Sequence, residues 1–182
     1  MHPKLILSPL QVVLPVDYEE VDKEVKLYLN VQVKPCLVDG IYGYATKGIM
    51  YLAQECPPGI WYHELFHLII EVMNPSTKAK LLDASREWLG YSKEREKVLG
   101  TFYIQNGYRL SESLLIKLVL EEQLADAFED FMNFYKSTEL YVKNYPSVIY
   151  AMKDAPEDSI VWSCFWKTVD GQFAHLPIAE AN

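Results

Sequence analysis

The stretch Ile60-Trp61-Tyr62-His63-Glu64-Leu65-Phe66-His67-Leu68-Ile69-Ile70-Glu71-Val72-Met73 is apolar almost throughout, and its middle carries two histidines around a glutamate. Pro57-Pro58-Gly59 stands before it and Asn74-Pro75 after it. Prolines and glycine at those places punctuate a helix, so residues 60–73 read as one helix of ordinary length. With so few polar positions the helix is buried on most of its sides.

Residues 63 to 67 form an HExxH pattern. On a helix, positions i and i+4 share a face one turn apart, so both imidazoles can reach one metal ion while Glu64 projects beside it toward a water. Burying His-Glu-His in an apolar helix costs desolvation, which a metal compensates. Imidazole ligands with room for a reactive water suit zinc. The alternative is a pair of core histidines satisfied by backbone carbonyls.

A catalytic zinc usually takes three protein ligands. A third histidine two turns past His67 is ruled out by Ile70 and Met73, and the remaining histidines, His2 and His175, sit near the termini. A carboxylate is therefore expected. Glu122 fits, because it lies within the apolar stripe Leu115, Leu118, Val119 of a long downstream helix, and Asp126 follows one turn later to accept a ring N–H from a ligating histidine. Glu121 and Glu129 read as outward, solubilising charges. Without the HExxH pattern, Glu122 would read better as a solvated helix charge.

Before the histidine helix, Lys4 to Leu14 suggests short strand pieces split by Pro9. Asp17 is an N-cap for a surface helix over Glu19 to Val31. Lys34 to Val38 and Gly48 to Ala53 read as strands, joined through a turn region at Gly40 and Gly43. After it, helices are expected over Lys78 to Leu89, Lys93 to Gln105 and Glu112 to Lys136. Strands early and helices late make an α+β domain with a small sheet laid on the histidine helix. The strand Gly48-Ile49-Met50-Tyr51-Leu52, close before that helix, is the candidate substrate-binding edge, where an extended peptide would add as a further strand.

The 182 residues, half of them apolar, fit one domain spanning 1–182, divided into strands and first helix (1–56), histidine helix (57–74), helical half (75–156) and tail (157–182). A net charge of -8 without a Lys/Arg cluster argues against nucleic-acid binding. Three dispersed cysteines, Cys36, Cys56 and Cys164, indicate neither a disulfide framework nor a thiolate zinc site. No signal-peptide pattern and no apolar run long enough to span a membrane is seen, so a cytoplasmic protein is expected. Oligomeric state is not legible. Trp162, Phe165 and Trp166 lie in a tail that could cover a cleft or, more commonly for such aromatics, pack in the core.

At His63-Glu64-Leu65-Phe66-His67 and Glu122-Gln123-Leu124-Ala125-Asp126-Ala127-Phe128 the chain resembles a gluzincin, and more narrowly the catalytic domain of the anthrax lethal factor and Pro-Pro endopeptidase family. The resemblance extends to Gly48-Ile49-Met50-Tyr51-Leu52, to Lys136-Ser137-Thr138-Glu139 and to Asn144-Tyr145-Pro146-Ser147-Val148-Ile149-Tyr150. It implies a zincin-like fold, one Zn2+ held by His63, His67 and Glu122, Glu64 as general base, and a peptide or protein substrate. Two positions depart from the family pattern: Phe66 stands where a glycine is common, and no tyrosine lies between Glu112 and Glu121. The nearest candidates for an oxyanion-stabilising tyrosine are Tyr108 and Tyr103. The rival reading keeps the zinc in a catalytically silent, self-blocked interaction protein, and a further one is a metal-free helical interaction protein.

Overall fold

The computed structural model describes residues 2–5, 11–152 and 159–176, the first of these segments by its backbone. The middle of the expected Lys4 to Leu14 segment and the two ends of the 157–182 tail lie outside the described residues. In chain order the elements are β1 (His2–Leu5), β2 (Leu14–Pro15), α1 (Tyr18–Val25), β3 (Gln32–Pro35), β4 (Ile41–Thr46), β5 (Ile49–Leu52), β6 (Glu55–Cys56), α2 (Ile60–Val72), α3 (Pro75–Leu89), α4 (Lys93–Gln105), α5 (Glu112–Tyr135), a 3-10 turn (Glu139–Tyr141), α6 (Pro146–Ala151) and α7 (Ile160–Val169). The architecture is α+β: a four-stranded sheet in the order β1-β4-β5-β3 lies on α2, and a helical half follows.

Local chemistry sets most boundaries. The side chains of Asp17, Asn74, Ser92 and Ser111 each accept the backbone N–H three residues on, opening α1, α3, α4 and α5. Asn74 followed by Pro75 starts α3 three residues earlier than the sequence pattern suggests, since Pro at the first helical position is already shaped for a helix. The helix from Asp17 stops at Val25 instead of running to Val31, because the chain turns through Leu29 and Asn30 to pair Gln32–Pro35 with β5. Gly59 caps α2 at φ +85°, with the Asn133 amide filling the space a Cβ would need.

The sheet corrects two expectations. Ile41–Thr46, expected as a turn region around Gly43, is a six-residue strand that pairs antiparallel with both β1 and β5. Lys47 and Gly48, both at positive φ, make a two-residue hairpin turn joining β4 to β5. Consequently Gly48-Ile49-Met50-Tyr51-Leu52 is not an edge. Its strand is bonded to β4 on one side and, in parallel register, to β3 on the other. With both ladders filled, it has no row of N–H and C=O groups to offer a peptide. On β3, one edge of this sheet, the Val33 N–H is already given to Asp22.

The core lies between the sheet and the helices, with α2 and α5 in closest association. Phe66 and Phe165 are fully buried, and the Phe66 ring meets Phe128 at 5.2 Å and Phe165 at 5.8 Å between centroids. Two of the tail aromatics thus belong to the core, since α7 supplies Val161, Trp162 and Phe165 to it, whereas Trp166 is 47% exposed and lies edge-on to Phe131 and Tyr135. Phe66 fills a ring-lined space that α7 and α5 together provide. α5 is buried at every residue from Val119 to Asn133, since α2, α3, α4 and α6 all pack on it. No helix among the described residues is long and apolar enough to cross a membrane.

Candidate metal centre

His63 and His67 project from one face of α2, and Glu122 reaches them from α5. The two Nε2 atoms are 3.1 Å apart, and the Glu122 carboxylate oxygens lie 3.3 Å from His63 Nε2 and 3.2 Å from His67 Nε2. For a tetrahedral zinc with ligand bonds of about 2.0–2.1 Å, neighbouring ligand atoms are separated by about 3.3 Å. All three separations are close to that spacing, with the two Glu122 contacts made by different oxygens, Oε2 to His63 and Oε1 to His67, so an ion of zinc's size fits among the three groups.

The outer ring nitrogens decide what the inner ones can do. His63 Nδ1 is 2.8 Å from Asp126 Oδ1, and His67 Nδ1 is 3.0 Å from Glu121 Oε1. A carboxylate accepts, so each Nδ1 carries the proton and donates it. Two Nε2 atoms and a carboxylate then converge in a buried cluster that could hold a metal ion. Burial pushes the Glu122 carboxyl up, but His67 and His63 outweigh it and hold the group well below the ordinary carboxylate range. Burial likewise pushes His67 down, and Glu122 with Glu121 reverses this and raises it to about 10. Without a metal, the cluster takes up a proton.

Cations reach the buried carboxylates around the histidines from three other parts of the chain: Arg95 Nη2 lies 2.5 Å from Asp126, Lys78 Nζ 3.0 Å from Glu121, and Lys143 Nζ 3.2 Å from Glu129.

No family model, curated protein or solved structure matches this chain.

Glu64, next to His63, is fully buried under the sheet. A Cβ placed on Gly43 of β4 would stand 2.7 Å from the Tyr51 carbonyl oxygen and 3.4 Å from Glu64 Oε1. The missing side chain is what lets β4 and β5 approach at the Tyr51 carbonyl, and the Glu64 carboxylate lies just beyond. A glycine inside a strand marks such close approach.

Of the residues singled out from sequence, His63, His67, Glu122, Glu64 and Asp126 come together here. Glu121 and Glu129 are corrected: both are buried, Glu121 on His67 and Lys78, Glu129 beside Lys143 and within ligand distance of His63 and Asp126. They were placed outward because α5 was taken to have one buried stripe, whereas helices surround it. A usable signal was present, since Glu122, Asp126 and Glu129 recur at i, i+4 and i+7, one helical face. Nothing in the sequence pointed to Arg95 or Lys78. Tyr108 is half-exposed and rests its ring edge against Tyr103. Tyr103 is the buried one of the two, and burial, then the charges of Glu122 and Glu121, raise its hydroxyl pKa. Gly48 to Leu52 contributes to the site by covering α2, with Met50 and Leu52 fully buried.

Proposed function

We propose that the protein is a zinc-dependent endopeptidase with a zincin-like fold. The observation that carries this reading is the triangle of two Nε2 lone pairs and the Glu122 carboxylate, with both Nδ1 atoms already committed to carboxylates. Zinc bound there supplies a Lewis acid that makes water a competent nucleophile near neutral pH and polarises a carbonyl.

The chain's own groups do the rest. Glu64, on the residue after a ligand histidine, accepts the proton of the attacking water and passes it to the leaving amine. Asp126 holds the His63 imidazole in the tautomer whose Nε2 lone pair is directed at the metal. Tyr103, buried within the electrostatic reach of Glu122 and Glu121, is better placed than Tyr108 to donate a hydrogen bond to a developing oxyanion, a contribution typically worth about 3 kcal/mol. The substrate class is a peptide or protein, and strand addition along Gly48 to Leu52 is not part of the reading.

One observation favours a second reading, a zinc-binding but self-blocked protein of the same fold: His63, Glu64 and His67 are fully buried and Glu122 is 4% exposed. Cleavage of a broad peptide library by zinc-loaded protein separates the two. The endopeptidase reading expects cleavage by the wild type and its loss, by several orders of magnitude, in Glu64→Gln with zinc and fold retained. A zinc-loaded wild type that cleaves nothing supports the self-blocked reading instead.

A further inference from the structure

We infer that Glu121 and Lys78 form a second positioning arm of the metal centre, which aims His67 independently of the Asp126 arm that aims His63. The inference rests on the metal-centre reading above and deepens it. Glu121 and Glu122 are neighbours on α5, about 100° apart around the helix. They grip opposite nitrogens of one ring: Glu122 Oε1 lies 3.2 Å from His67 Nε2, and Glu121 Oε1 lies 3.0 Å from His67 Nδ1. Two consecutive residues of α5 therefore define the plane and rotation of this imidazole.

The second Glu121 oxygen, Oε2, takes Lys78 Nζ of α3 at 3.0 Å. Three elements meet in the line Lys78–Glu121–His67, just as α4, α5 and α2 meet in Arg95–Asp126–His63. A carboxylate that accepts Nδ1–H fixes the tautomer, directs the Nε2 lone pair at the metal and makes it a better ligand. The two arms differ in their outer end. The Arg95 side chain is 21% exposed and guanidinium geometry locks it, whereas Lys78 is 36% exposed and holds Glu121 as a point charge. Glu121 is thus the main contributor of its arm, and Lys78 a lesser one.

The test is zinc affinity, measured by chelator competition on the full chain, together with the ring-nitrogen NMR spectrum of the zinc-loaded protein. Glu121→Ala is expected to weaken zinc binding about 10- to 100-fold. It should also remove the slowly exchanging Nδ1 proton of His67 while that of His63 remains. Glu121→Gln, which keeps the shape and one acceptor oxygen, should keep that proton and weaken zinc less than the alanine variant does. Lys78→Met should weaken zinc less than Glu121→Ala and leave both ring protons in place. Unchanged zinc affinity in Glu121→Ala and Glu121→Gln, or a His67 Nδ1 proton that persists in a folded Glu121→Ala, overturns the inference while leaving the zinc reading intact. A wild type that takes up no zinc overturns the zinc reading, and this inference with it.

Discussion

Replacing Asp126 by Asn changes one oxygen to an amide nitrogen and leaves the shape. In the native arrangement Oδ1 accepts from His63 Nδ1 at 2.8 Å and Oδ2 from Arg95 Nη2 at 2.5 Å, with Asp126 buried. Asn can face its oxygen only one way. If the oxygen serves His63, the amide N–H groups confront the guanidinium, donor against donor. If it serves Arg95, the amide confronts Nδ1, the imidazole shifts its proton to Nε2, and that proton occupies the metal's position. Removing one partner of a buried, hydrogen-bonded ion pair costs about 3–5 kcal/mol. Loss of the carboxylate behind a ligand histidine weakens metal binding by about 10- to 100-fold, or about 1.4–2.7 kcal/mol of binding free energy. Chelator competition for zinc and urea unfolding in the presence of EDTA measure the two effects separately. Asp126→Asn should lower both quantities, and Arg95→Met mainly the stability. A variant that loses stability yet binds zinc as tightly as the wild type would refute the assignment of Asp126 to the imidazole and leave it as a partner of Arg95 only.

Three further perturbations follow from the same geometry. Gly43→Ala should destabilise the fold by about 1–3 kcal/mol, because the added methyl overpacks against the Tyr51 carbonyl and Leu52; urea unfolding that finds no loss of stability would argue against a close approach of β4 and β5 at this position. For pH, the metal-free protein holds a proton on His67 below about 10, and zinc must displace it. The metal-free state therefore binds more protons than the zinc-bound state, so affinity falls as pH falls, by about tenfold per unit between pH 8 and 6 for one displaced proton; a flat titration across that range would mean that zinc displaces no proton from His67. Phe66→Ala should cost about 3–5 kcal/mol from the ring-lined core, read by urea unfolding, and a loss under 1 kcal/mol would mean that Phe128 and Phe165 do not enclose it as described.

Much of the fold was legible because its signals are local. Breakers at Pro57, Gly59, Asn74, Gly90 and Gly107 and the cap at Ser111 place α2, α4 and α5 to within a residue or so. The HExxH pair was legible because helical spacing alone puts both histidines on one face of α2, and Glu122 was legible only once that pair called for a third ligand. What escaped depends on contacts between distant segments. Gly43 looks like turn punctuation until Glu64 is seen under it. The strand Ile49–Leu52 looks like an edge until the parallel pairing with Gln32–Pro35 fills its free side. Glu121 and Glu129 look solvated until Lys78 and Lys143 arrive from elsewhere in the chain. Trp162 and Phe165 have no visible destination in the sequence, because the rings they pack against lie some 30 to 100 residues earlier.

The central claim is that His63, His67 and Glu122 hold one divalent metal, and zinc stoichiometry tests it most directly. Protein stripped with chelator, reloaded with zinc and freed of excess metal should contain about one zinc per chain. The His63→Ala/His67→Ala double variant, treated identically and shown to be folded, should contain essentially none. A wild type that retains no zinc, or a double variant that retains as much as the wild type, would contradict the account.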